Sequence, residues 1–429
     1  MTLDPNAISW AVRKSINEKY FLKNKDASIL FYSYDLTQKK LNELKTTFTE
    51  NTHHTIAIKA NPLSKVLSKI VAQGFGLEAA SIPELYIALK TGIEGKKIVY
   101  DSPVKTEEDL RYAIEAGSHI NADSLAELAR IDNIMSDYTK CKASFGLRIN
   151  PQTGDGKIAA TSVAGVYSKF GVPINERRQE IISAYKKYPW LTGIHIHIGS
   201  QGCSLEMLVK GAKLLSELIT DIESELIQID ASLGIKQVDI GGGLPASYDH
   251  EIPTPTLTEY ATKLKNSVPE LFSQHRTVIT EFGRHIHAPS GFVISRVEYV
   301  KTEASKNTLM IHVGADMFVR ECYRPDDWHH EIIVLNPDGT QKHSQSQTIY
   351  NIAGPLCFAG DIIAHDRLLP TVTPGDYVVI LDSGAYTFAM WSRYNSRQTP
   401  KVIGFSVQEN FLEIIKDQET LEDVYGFWL

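Results

Sequence analysis

The sequence predicts an α/β protein: a (β/α)8 barrel with a second, smaller antiparallel β domain. Three observations predict it. Eight short apolar runs alternate with helix-like stretches between about residues 55 and 285. After about residue 290 the texture changes to strand-like runs separated by turn signals. The 429-residue length also exceeds what one hydrophobic core usually serves.

In chain order the apolar runs are Thr55–Lys59, Gly76–Ala80, Lys97–Asp101, His119–Asn121, Ala143–Asn150, Gly193–Ile198, Gln237–Ile240 and Thr277–Glu281. Each is short and β-branched or apolar, as a strand buried in a parallel sheet requires. Between them lie helix starts. Ser81 with Glu84 and Ser124 with Glu127 fit the capping box, in which a hydroxyl and a carboxylate satisfy free backbone N–H groups. From Ser204 onward, apolar residues at 205, 208, 209, 212, 215 and 219 form one face of a long helix. Eight strand–helix units in series predict a barrel over residues 40–290. The later runs GFVISRVEYVKTE, LMIHVGA, EIIVLNPDG, QTIYNIAG and DYVVILDSGAY, with turns at NPDG and TPGD, predict an antiparallel domain over 291–429. Residues 1–39 are expected to join it through the strand-like SILFYSYDL at 28–36.

Composition narrows the function classes. A net charge of -7 argues against a nucleic-acid partner held through phosphate contacts. Cys141, Cys203, Cys322 and Cys357 are widely spaced and form no CxxC pair, which suggests reduced thiols in a cytoplasmic protein. No apolar run approaches the roughly 20 residues that span a bilayer, so no membrane partner is expected.

Chemistry in such barrels sits at the C-terminal ends of the strands, and polar residues gather there. Lys59 ends the first strand in AIKANP, where desolvation would lower its amine pKa and free it to form a Schiff base with an aldehyde. The alternative is a strand-end lysine snorkelling to water. Glu78 lies in the second strand, Arg148 and Asn150 end the fifth, and His197 ends the sixth. Gly241, Gly242 and Gly243 follow the seventh, where successive glycines can form an anion nest or an ordinary loop. Glu281 ends the eighth, beside Arg284; it can hold a pyridinium nitrogen or simply pair with that arginine. His195 and His197 alternate on one strand, as do His285 and His287 if that segment is extended. These two pairs raise a metallohydrolase as the runner-up, although few other ligands stand at matching strand ends and no metal is expected. Cys357 in AGPLCFAGD is either a proton donor or a small buried apolar residue, and Tyr386 either a phosphate ligand or a strand aromatic.

Seven segments, Ala57–Pro62 (AIKANP), His197–Gln201 (HIGSQ), Asp239–Gly243 (DIGGG), Glu281–Arg284 (EFGR), Gly354–Cys357 (GPLC), Gly384–Tyr386 (GAY) and Tyr394–Arg397 (YNSR), together resemble the alanine-racemase-fold, pyridoxal-phosphate-dependent decarboxylases of diaminopimelate, ornithine, lysine and arginine. They run in that family's order across nearly the whole chain. LRINP at 147–151 and SKFG at 168–171 point to the diaminopimelate branch.

The resemblance implies pyridoxal 5'-phosphate as cofactor and a small amino acid as substrate. It implies that Lys59 binds the cofactor, with Glu78 beside it, and that His197 stacks on the ring. Ser200, Gly241–Gly243 and Tyr386 would hold the phosphate, and Glu281 would pair with the pyridine nitrogen. Arg284 would bind a substrate carboxylate, with Tyr386 also on the substrate side. Cys357 would reach a partner subunit's site and protonate the carbanion, so a homodimer with shared active sites is implied. A carboxylate at the ring nitrogen, where the racemases of this fold place an arginine, favours loss of carbon dioxide.

Two departures bear on the substrate. The diaminopimelate enzymes follow the cysteine with a glutamate that holds the distal ammonium, and Phe358 stands there. The arginine–proline–x–x–tyrosine segment becomes RECYRPDDW at 320–328, offering Arg320 or Arg324 and placing Trp328 for the tyrosine. The leading expectation is decarboxylation of meso-diaminopimelate to lysine or of a close analogue. The alternatives are a less cationic or carrier-linked amino acid of secondary metabolism, and an inactive regulatory homologue.

Overall fold

The computed structural model describes residues 2–429 and resolves into two compact units. One comprises residues 42–245 and 254–285; the other comprises residues up to 41 together with 246–253 and 286–429.

The first unit is the barrel. Its strands are β2 (Thr52–Ala57), β3 (Gly76–Ala79), β4 (Ile98–Tyr100), β5 (His119–Ala122), β6 (Ser144–Asn150), β8 (Leu191–Ile196), β9 (Gln237–Asp239) and β10 (Thr277–Phe282), and the two-residue β7 (Val172–Pro173) adds to the end of β6. All pairings are parallel, and β10 pairs back onto β2 to close the ring. Each of the eight expected runs is a strand, shifted by at most three residues. The helices start where hydroxyls stand. Ser81, Ser124 and Ser204 accept the N–H of Glu84, Glu127 and Met207. Glu84 and Glu127 reach one residue further back than a capping box requires, accepting from Ala80 and Asp123. In the helix Leu205–Leu226 all six expected core positions are buried.

The barrel lumen is polar. His119 and Asn121 face Gly146 and Gly193, and His53 faces Gly76; a Cβ on Gly193 would lie 2.7 Å from the His119 ring, so glycine makes room for imidazole. Asn121 Nδ2 donates to Asp239 Oδ2 at 3.2 Å.

The second unit carries two sheets. A six-stranded sheet runs in the order β14 (Ile332–Leu335), β17 (Tyr377–Ile380), β11 (Gly291–Arg296), β1 (Ser28–Ser33), β18 (Lys401–Ser406), β19 (Phe411–Lys416). A four-stranded sheet runs β12 (Tyr299–Glu303), β13 (Lys306–Met310), β15 (Gln347–Ala353), β16 (Ile362–Pro370). Pairing is antiparallel except at β1–β18 and β13–β15. β1 comes from the N-terminal end of the chain and completes the sheet between β11 and β18. Its Phe31 stacks on Phe292 with centroids 5.0 Å apart, and the helix Pro5–Asn17 adds Ile8, Ala11 and Val12 to the same core. No helix among the described residues is long and apolar enough to cross a membrane.

Candidate active site

In the barrel, β2 ends in a single 3-10 turn, Ile58–Ala60, and Asn61-Pro62 stops it there. Lys59 thus projects from a strand end. Its Nζ lies 2.6 Å from Oε2 of Glu78, which is fully buried on β3. The lysine does not snorkel alone; it pairs with a carboxyl that burial pushes up to about 7 against the pull of the Lys59 charge.

Glu281, on β10, is buried, and its Oε1 has no hydrogen-bond partner among the described residues. Burial, then the charges of Asp239, Glu78 and Asp101, holds its carboxyl well above the ordinary carboxylate range. His195 on β8 lies 3.7 Å from both Glu281 and Asp101, and burial lowers its pKa. Asp101 is ionised: burial raises it, but Arg148 at 3.0 Å, His195 and Lys59 outweigh burial. Asp101 and its pairing with Arg148 escaped sequence reading, because an acid at the end of β4 looks like any strand-end acid.

The glycine turn after β9 is dictated by close approach. Gly241 and Gly243 have φ of 64° and 100°, and a Cβ on Gly242 would lie 2.3 Å from the Glu281 carbonyl oxygen. Two of its N–H groups already have partners: Gly241 donates to Asp239 Oδ1 at 2.9 Å, and Gly242 to His197 Nδ1 at 3.3 Å. Burial lowers the His197 pKa strongly, so the ring is neutral and can accept that bond. Arg284 Nε donates to Ser200 Oγ at 3.0 Å, tying two expected ligands together. The second histidine pair does not form: Arg284–His287 is a helical turn, so residues two apart face different ways. His285 instead approaches Glu43 at 3.6 Å, and His287 Nδ1 bonds the Tyr32 hydroxyl at 2.7 Å.

Pyridoxal phosphate presents an aldehyde, a ring nitrogen and a phosphate. The barrel meets these with the Lys59 amine, the orphaned Glu281 oxygen and a turn that excludes any Cβ. These groups fit the cofactor.

The remaining candidates lie in the second unit. Cys357 is exposed, so it is not a buried apolar filler. Its loop is pinned from two sides: the Cys357 N–H donates to Asn395 Oδ1 at 2.7 Å, and its carbonyl accepts the Tyr394 hydroxyl at 3.1 Å. The YNSR segment is thus the support of the GPLC segment. Asp361 accepts from Leu356 and Ala315, both at 2.6 Å, and shapes the same turn. Phe358 stacks on Tyr323 with centroids 5.3 Å apart. Tyr386 is not in a strand; it follows β17 with φ of 55°, a conformation costly for a side-chain-bearing residue.

The structure separates the two arginines. Arg324 is exposed and pairs with Asp327 at 2.7 Å. Arg320 lies over the Trp328 ring, 4.1 Å from its centroid, and 5.8 Å from that of Tyr386. All three of its guanidinium nitrogens are buried without a hydrogen-bond partner among the described residues.

The family model described as pyridoxal-dependent decarboxylase, pyridoxal binding domain, matches residues 35–288. The chain is 32% identical to the diaminopimelate decarboxylase of Helicobacter pylori over 403 residues, covering 92% of this chain and 94% of that one. It is 30% identical to that of Campylobacter jejuni over 399 residues, covering 91% and 93%. The crystal structure of the H. pylori enzyme complexed with L-lysine superposes with a TM-score of 0.84 at 28% identity, covering 96% of this chain and 99% of that one.

Proposed function

Because this chain belongs to the pyridoxal-dependent decarboxylases, and is an enzyme of that type, we propose that it removes carbon dioxide from meso-diaminopimelate, or a close analogue, to give lysine. Family membership overturns the metallohydrolase reading. The observation that carries the proposal is the convergence of Lys59, Glu281 and the Gly241–Gly243 turn at the strand ends of one barrel. The names of the relatives support the substrate.

Pyridoxal phosphate, when bound, supplies an electron-poor ring that accepts the electron pair left by the departing carboxylate. Lys59 holds it covalently, with Glu78 taking or giving a proton at the Lys59 nitrogen. Glu281 keeps the ring nitrogen protonated, which relieves the cost of its own buried, partnerless oxygen. His197 would lie against the ring, while Ser200, the glycine turn and Tyr386 would hold the phosphate. Arg284, tied to Ser200, and Arg320 bind substrate carboxylates. Cys357 delivers a proton to the substrate carbon. Its exposure, with the exposed Tyr323 and Tyr394 around it, supports a homodimer in which this loop serves a second copy's site. A cytoplasmic location fits the four free thiols.

The protein should release carbon dioxide from meso-diaminopimelate, and borohydride should fix the cofactor to Lys59 in a peptide map. An unmodified Lys59 would refute the cofactor site. Mixing Lys59→Ala with Cys357→Ala chains should restore turnover; no recovery in a dimer shown to exchange subunits would refute the shared site. A second reading, a substrate with a neutral distal end, is favoured by Phe358 stacked on Tyr323.

A further inference from the structure

In the second unit a guanidinium and a carboxylate lie side by side, each with buried polar atoms that have no hydrogen-bond partner among the described residues. Glu321 follows Arg320 on the short helix Val319–Tyr323 and is 1% exposed. Its Oε1 faces Arg320 Nη2 at 3.6 Å, beyond hydrogen-bond reach. The same Oε1 lies 3.0 Å from His330 Nε2. His330 Nδ1 must donate to the Leu381 carbonyl at 2.6 Å, which fixes the ring against Glu321. The carboxyl stays ionised: burial raises its pKa, but the His330 hydrogen bond and the His330 and Arg320 charges outweigh burial. Its Oε2 is buried with no partner, as are all three Arg320 nitrogens.

A buried carboxylate oxygen and a buried guanidinium left unsatisfied each forfeit the hydration they had in the unfolded chain. Two such groups in contact point to a ligand that satisfies both. That ligand must carry an anion and a cation within a few ångströms of one another. An α-amino acid end, with carboxylate and ammonium on one carbon, has that spacing.

We infer that Arg320 and Glu321 together receive the unreacted amino-acid end of the substrate, Arg320 taking its carboxylate and Glu321 Oε2 its ammonium. The inference rests on the diaminopimelate reading above. Diaminopimelate carries such an end at each terminus, and the reaction consumes only one. Glu321 thereby replaces the acid that Phe358 displaces after Cys357, and the distal ammonium keeps a carboxylate partner. The planar guanidinium keeps its orientation by lying on Trp328, with the strained Tyr386 at its other side.

The test compares meso-diaminopimelate with 2-aminopimelate, which lacks only the distal amine. The cofactor-loaded wild type should prefer the former by about tenfold to a hundredfold in kcat/KM, the worth of one charge-assisted hydrogen bond. Glu321→Gln should collapse that preference to within about threefold, mainly through KM. Calorimetry gives a readout independent of turnover. L-lysine, which keeps the unreacted end, should bind Glu321→Gln about tenfold or more weaker than wild type, while 6-aminohexanoate, which lacks the α-amine, should show no such difference. Equal losses on both substrates would mean that Glu321 only orients Arg320 and would overturn the inference. A wild type that does not distinguish the two substrates would overturn it without any variant, so a misfolded Glu321→Gln leaves it testable. If meso-diaminopimelate is not decarboxylated at all, the functional reading falls and takes this one with it; if it is decarboxylated without discrimination, only this one falls.

Discussion

The two units differ in how they treat their buried cations. In the barrel Arg148 pairs with Asp101, Lys105 with Glu127, and the half-buried Lys59 with the buried Glu78. Buried carboxylate oxygens without a hydrogen-bond partner among the described residues remain there on Glu281, Glu78, Asp101, Asp123 and Glu127. In the second unit none of the three Arg320 guanidinium nitrogens has a hydrogen-bond partner among the described residues, and beside it Glu321 meets His330 with one oxygen only. In the barrel Phe282, within EFGR, is a core aromatic against Phe48 and Tyr260. The departures at Phe358 and in RECYRPDDW change which chemical groups are on offer. From this contrast we propose that the barrel supplies most of the cofactor's contacts, with Tyr386 added from the second unit, and that Arg320 and Cys357 of the second unit serve the substrate.

Four experiments break or sharpen that division. The largest effect is expected of Lys59→Ala, which should cut turnover by about a thousandfold or more and abolish borohydride fixation; near-normal kcat in that variant would end the division at its root. Cys357→Ala should lower kcat by about a hundredfold or more while the cofactor's visible absorbance persists, since Cys357 is exposed and belongs to the other unit. Loss of that absorbance would show that Cys357 also holds the cofactor. Glu78→Gln tests the barrel's paired charge in the cofactor-free protein. The raised Glu78 pKa means that the folded state binds the extra proton, so its stabilising contribution is complete below 4.5 and is lost as pH rises to about 7. Thermal melts should therefore shift in favour of the variant by at most about 3 kcal/mol across that interval. A pH-independent difference would show that Glu78 is already ionised at 4.5. The smallest effect is expected of Tyr394→Phe, which removes one hydrogen bond to the Cys357 carbonyl. A loss of about fivefold in kcat, with unchanged cofactor retention, is the value of one such bond.

Much of the barrel was legible because its signals are local. A parallel strand must be short and apolar, and a helix start must offer a hydroxyl, so β2 to β10 and the caps at Ser81, Ser124 and Ser204 follow from neighbours in sequence. The expected extension of His285–His287 failed for the same reason in reverse, since nothing within those few residues distinguishes a strand end from a helical turn. Glu321 was invisible because an acid beside an arginine usually sits in water. Only the burial of Glu321 and of the Arg320 guanidinium nitrogens, and the His330 ring fixed by the Leu381 carbonyl, gives it meaning.

What the sequence determined by itself is the order of elements, the lysine at the end of β2 and the glycine turn, since each depends on residues adjacent in the chain. The tertiary structure decided which arginine is buried, that YNSR supports the Cys357 loop, and that Glu281 and Glu321 each keep an oxygen without a partner. These properties depend on desolvation and on contacts between residues far apart in the chain, and no local pattern of residue types encodes them.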